Sequence, residues 1–126
     1  MTDIPRLKDL RVLIVEDDVM ISMLVRDMLG DVGCVVAGAA LDLDEALDMI
    51  DRLGFDRAIL DIDLGGAPSF PAADQLRDRG IPLAYATGHG RGVLRPMDRA
   101  TLLLHKPFRE QDAIDVLDQL SARVSG

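Results

Sequence analysis

The 126-residue sequence predicts an α/β fold built on a central, five-stranded parallel sheet. Two patterns predict it. Short apolar runs recur without polar alternation, as expected of strands covered on both faces. Between the runs lie segments whose apolar residues repeat at helical spacing, and strict alternation of the two produces a βα-repeat.

The first run is Val12-Leu13-Ile14-Val15, and residues 19–29 follow it as a helix. Met20, Met23, Leu24, Val25 and Met28 give that helix a broad apolar face, with Gly30 as its stop. Cys34-Val35-Val36-Ala37 is the second strand. Leu43, Ala46, Leu47 and Ile50 mark the next helix, and Asp42 with Glu45 reads as a capping pair at its start. Ala58-Ile59-Leu60 is the third strand. Ser69–Arg79 is a short helix with Pro71 in its first turn and Gly80 beyond its end. Residues 81–86 and Leu102-Leu103-Leu104 supply the last two strands. Between them, "GHGRGVLRPMDRA" leaves room only for a short or irregular fourth helix, because its glycines and Pro96 oppose helix formation. A final helix spans roughly 109–123, with Ile114, Leu117 and Leu120 on one side.

Composition narrows the function. The apolar fraction of 48% and charged fraction of 29% are those of an ordinary globular chain, and the length suits one domain, 1–126. The net charge of -8 argues against a phosphate-neutralising surface, and Phe55, Phe70, Tyr85 and Phe108 are too few for a base-stacking platform. No direct nucleic-acid partner is expected. Cys34 is the single cysteine and is expected to be a buried apolar residue. No secretory signal or membrane-length apolar run occurs, which predicts a cytoplasmic protein without membrane contact. No Gly-x-x-x-x-Gly-Lys is present, so a P-loop is excluded.

Sites in parallel sheets form at the carboxyl ends of strands. Here those ends carry Glu16 and Asp17, Asp61, Thr87 and Lys106, after the first, third, fourth and fifth strands. Asp18 in the same acidic run is expected to cap the first helix. Carboxylates that converge in this way require a positive partner, and Mg²⁺ accepts a few of them while leaving positions for water and phosphate oxygens. Asp61 could then attack a phosphoryl group to give an acyl phosphate, with Lys106 and the Thr87 hydroxyl stabilising the phosphoryl oxygens.

"LIVEDD", "ILDIDL", "YATG" and "HKPF", in that order, resemble the receiver domain of two-component response regulators. The resemblance implies a flavodoxin-like doubly wound fold. It also implies phosphotransfer from a histidine kinase or phosphotransfer protein to Asp61, with Glu16, Asp17, Asp61 and the Asp63 backbone carbonyl around Mg²⁺. Thr87 becomes the switch hydroxyl and Lys106 the lysine of the site, and only weak self-phosphorylation and self-dephosphorylation are expected, not enzymatic turnover. Asp63 and His89 take positions that modulate dephosphorylation. "YATGHG" is similar to a single-domain subgroup with a Phe-Ala-Thr-Gly signature. Leu103 stands where receivers usually carry an aromatic switch residue. Switching is therefore expected to pass instead through Gly88–Arg99, a stretch of low expected stability that orders on phosphorylation. Two rival readings are a haloacid-dehalogenase-like phosphohydrolase using Asp61 and Asp63, and a degenerate receiver that never accepts phosphate. The chain is expected to be a complete, stand-alone regulator.

Overall fold

The computed structural model describes residues 7–88 and 94–125, with side chains as far as residue 120. Five parallel strands form the sheet: β1 (Arg11–Val15), β2 (Val35–Ala40), β3 (Arg57–Asp61), β6 (Leu83–Thr87) and β7 (Leu102–His105), in the order β2-β1-β3-β6-β7. A small antiparallel hairpin, β4 (Asp63–Leu64) with β5 (Ala67–Pro68), lies outside the sheet. Four helices complete the fold: α1 (Val19–Asp31), α2 (Leu43–Arg52), α3 (Phe70–Asp78) and α4 (Glu110–Ser125). The architecture is the expected flavodoxin-like one.

Alternating side chains along each strand feed two cores, which is why the strands read as continuous apolar runs. Leu13, Val15, Leu60, Leu83 and Tyr85 join Ala46 and Ile50 of α2 and Leu76 of α3 on one face. Val12, Ile14, Ile59, Ala84 and Leu104 join Val25 and Leu29 of α1 and Leu117 and Leu120 of α4 on the other. Each fully buried Leu, Ile or Val contributes about 1.5–3 kcal/mol, so both faces must be covered for the sheet to hold. Cys34 is buried as expected, and burial pushes its thiol up to about 11.

The caps follow the sequence closely. Asp18 Oδ1 accepts from the N–H groups of Met20 and Ile21, and Asp42 Oδ1 accepts from Glu45 N–H. The Glu45 carboxylate reaches back one residue further than a standard capping box, to Leu41 N–H.

Two expectations need correction. First, the apolar face read along α1 meets the core only through Val25, with Met28 half-buried. Met20, Met23 and Leu24 are 73%, 55% and 56% exposed, while Ser22, Val25 and Leu29 are buried. Second, Gly30 does not stop α1, which continues to Asp31; the left-handed residue is Gly33, at φ 98°. The fourth helix is short and irregular as expected: among the described residues between β6 and β7 it is a single 3-10 turn over Pro96–Asp98. Residues 89–93 of the glycine-rich stretch, His89 included, lie outside the described residues. The part beyond them is not weakly held: Leu94 and Asp98 are buried. No helix among the described residues is long and apolar enough to cross a membrane.

Candidate functional site

From β1 the chain passes to β2 on one side, then crosses back to β3 on the other. The loops after β1 and β3 therefore diverge, and the crevice between them is where parallel sheets bind ligands. Glu16, Asp17 and Asp61 meet there. Each offers a carboxylate oxygen, and these oxygens lie within 4.8 Å of one another. Glu16 and Asp61 are nearly buried, whereas Asp17 is exposed.

Lys106, just beyond β7, reaches the same point. Its Nζ forms ion pairs with Glu16 Oε1 and, at 2.8 Å, with Asp61 Oδ2. One ammonium thus pairs with two of the three clustered carboxylates, which leaves the crevice negative. Burial opposes the Lys106 charge, but the hydrogen bonds to Asp61 and Glu16 outweigh it and raise the group above its ordinary value. Burial, with the Asp61 charge, pushes Glu16 upward against the pull of Lys106 and the Asp18 N–H. That N–H donates to Glu16 Oε2 at 3.0 Å, so Asp18 orients a site carboxylate as well as capping α1.

Thr87 is buried at the end of β6, and the Lys106 N–H donates to its carbonyl at 2.8 Å, locking the ends of β6 and β7 together. The hairpin after β3 closes the crevice from another side. Its turn residues, Gly65 and Gly66, have φ of 65° and 95°, the backbone of a type I′ turn. A Cβ on Gly65 would lie 3.8 Å from Asp17 Oδ2, so the tip sits beside the acidic cluster. The hairpin went unpredicted, although Gly65-Gly66 between Leu64 and Ala67 is its signal.

Asp63 Oδ1 accepts from Gly66 N–H at 2.8 Å and so braces this turn. The Asp63 N–H, not its carboxylate, faces Asp61 Oδ1, at a long 3.4 Å. An Asp-x-Asp phosphohydrolase needs the second carboxylate as a free acid/base, and here one of its oxygens is engaged in the turn. The structure thus brings together Glu16, Asp17, Asp61 and Lys106, with Thr87 beside them on the neighbouring strand end.

An apolar groove of about 300 Å³ adjoins the site, lined by Ile21, Leu24 and Met28 of α1 and by Pro107 and Phe108. Lys106 forms part of its wall. The exposed Met20 and Met23 extend this apolar area along α1.

A sequence model of the response regulator receiver domain matches residues 12–118. Comparison with curated proteins finds no match. Among solved structures, SdrG from Sphingomonas melonis Fr1 is 35% identical, with a TM-score of 0.76 over 88% of this chain and 95% of that one. The REC domain of the PhyR response regulator from Erythrobacter litoralis is 27% identical, with a TM-score of 0.79 over 90% of each chain. A CheY-like receiver domain from Methylobacillus flagellatus shares the fold, with a TM-score of 0.76 at 19% identity over 88% of this chain and 98% of that one. The strand order, the convergence of strand-end residues and the family match lead to one conclusion: this chain belongs to the response regulator receiver family, the CheY-like signalling domains of two-component systems.

Proposed function

We propose that this receiver domain accepts a phosphoryl group on Asp61 from the phosphohistidine of a histidine kinase or phosphotransfer protein. The observation that carries the reading is the contact of Lys106 Nζ with Asp61 and Glu16 in a crevice that stays negative overall. An Asp61 carboxylate oxygen forms a bond to phosphorus while the P–N bond of the donor breaks. The bonding pair leaves with the imidazole, which takes up a proton. Lys106 moves its charge toward a phosphoryl oxygen, and the Thr87 hydroxyl serves a second one.

The donor set fits a hard divalent cation. Glu16, Asp17 and Asp61 supply oxygens only, and relief of like-charge repulsion favours an ion among them. These three side chains, with the Asp63 backbone carbonyl, would hold Mg²⁺. When bound, the ion neutralises charge that develops on the phosphoryl oxygens. Asp63 acts further through its side chain: by bracing the hairpin tip it limits the approach of water to the acyl phosphate. The exposed apolar surface on α1 beside the site supports a protein donor over a small molecule, since such a surface needs a partner to cover it.

Incubation with acetyl phosphate in Mg²⁺ tests the reading. One acid-stable, base-labile phosphoryl group per chain is expected, lost in Asp61→Ala, with no steady turnover of a phosphomonoester. Undiminished labelling of Asp61→Ala would overturn the assignment, and an unlabelled wild type would leave the degenerate receiver.

A further inference from the structure

Two residues before Thr87, β6 carries Tyr85, among the largest fully buried side chains of the protein. Strand alternation turns Leu83, Tyr85 and Thr87 to one face, so Tyr85 and Thr87 lie about 7 Å apart along one row. A buried phenol needs a hydrogen-bond partner. Tyr85 donates to Asp98 Oδ1 at 3.1 Å, and Asp98 is itself completely buried.

The buried carboxylate is held from several directions. Arg95 Nε donates to Asp98 Oδ2 at 2.6 Å. Arg77 Nη1 lies 2.8 Å from Asp98 Oδ1 as an ion pair without hydrogen-bond alignment. Arg95 also grips Asp74 of α3 through two bonds, at 2.8 and 3.2 Å, and its guanidinium lies 4.4 Å above the Phe70 ring. Phe70 in turn meets Tyr85 edge-on, with the ring centres 6.1 Å apart. Arg77 Nη2 donates to Thr101 Oγ1 at 2.7 Å. One network therefore joins α3, the strand that bears Thr87, the Pro96–Asp98 turn and the entry to β7.

Burial opposes the Asp98 charge, but the contacts from Arg95, Arg77 and Tyr85 outweigh it and hold the carboxyl below its ordinary value. Burial, then the Asp98 charge, pushes the Tyr85 phenol up to about 12. Tyr85 thus remains the donor and Asp98 the charged acceptor.

We propose that Tyr85 and Asp98 are positioning residues for the acceptor site: they hold the Thr87 end of β6 in its unacylated arrangement and couple its movement to the surface made by α3, the Pro96–Asp98 turn and Thr101. The proposal rests on the reading that Asp61 accepts a phosphoryl group. Its physical basis is that a buried charge tolerates no intermediate state. If Thr87 shifts toward new oxygens on Asp61 and draws β6 with it, the phenol either carries Asp98 along or leaves a buried acceptor short of a donor. Coupling of this kind is reciprocal, so weakening the network changes affinity at the site.

Tyr85→Phe keeps the ring and removes one hydroxyl. Wild type and variant are titrated with beryllofluoride in Mg²⁺, while NMR follows the amides beside Asp61 and the Nε–H signals of Arg77 and Arg95. In wild type the arginine signals are expected to move as beryllofluoride binds. In Tyr85→Phe they should stay still, and beryllofluoride should bind about 5-fold more tightly or better, because the unacylated arrangement has lost support. A purely structural tyrosine would lower the melting temperature and leave that affinity unchanged, which overturns the proposal. Asp98→Asn is the second variant, expected to act in the same direction; should it fail to fold, Tyr85→Phe decides alone. If wild type binds beryllofluoride but its arginine signals do not move, this coupling fails while the acceptor reading stands. If wild type does not bind beryllofluoride at all, both fail.

Discussion

Asp98 is the residue whose chemistry its sequence neighbourhood hides most completely. It faces Arg95, Arg77 and Tyr85 directly, with Asp74 beyond Arg95, and the Arg95 bonds depress Asp74 as well. A carboxyl held below its ordinary value adds stability that is complete above that value, 3.8, and is lost as pH falls through the lower folded value. Asp98→Asn is therefore expected to cost about 3 kcal/mol near neutral pH, the lower end for breaking a buried pair, because both arginines are partly exposed. The gap should close in acid. Urea unfolding of both proteins across a pH series measures it, and a gap independent of pH would show that Asp98 is not ionised in the fold. Glu16, Asp17, Asp61 and Lys106 were legible because each follows an apolar run, so the sheet alone brings them together. Asp98 was not, since "RPMDRA" reads as a charged loop and its partners, at 77, 85 and 95, follow no local period.

At the level of elements, all five strands and the four helices were legible from apolar runs, spacing and caps. The orientation of α1 was not. Its apolar residues outnumber the positions that the sheet and α4 can cover, and periodicity alone does not say which of them are left outside. The segment between β6 and β7 was foreseen as irregular from its glycines and Pro96, but its anchoring was not, because a buried ion cluster overrides weak local propensity. The outward face of α1 leads to a prediction at this scale. Leu24→Glu places a charge on the apolar groove and leaves Glu16, Asp17, Asp61 and Lys106 themselves unchanged. Transfer from a phosphorylated histidine-phosphotransfer protein should fall about tenfold or more, as for loss of an apolar anchor worth about 1.4 kcal/mol. Labelling by acetyl phosphate should be unaffected. Equal losses from both donors would mean that the substitution disturbs the site itself, and no loss from either would remove α1 from the docking surface.

For the molecule as a whole, the carboxylates at the crevice are a source of strain that the proposed ion would relieve only in the folded state. Mg²⁺ at a hundredfold excess over its Kd is therefore expected to stabilise the fold by about 2.7 kcal/mol. The melting temperature should rise by several degrees, return on chelation, and respond little in Asp17→Asn. An identical rise in that variant would place the effect on general screening of the net charge of -8. The order in which the site is assembled has its own consequence. Glu16 and Asp17 emerge first during synthesis and Asp61 later, while Lys106 arrives only after the last strand, at the edge of the sheet. A nascent chain halted before that strand holds acids that no ammonium has joined, next to a β6 edge that lacks its neighbour. On the proposed reading of Asp61 as acceptor, competence to receive a phosphoryl group begins only when the final strand docks, and a half-made chain cannot draw phosphate away from finished ones.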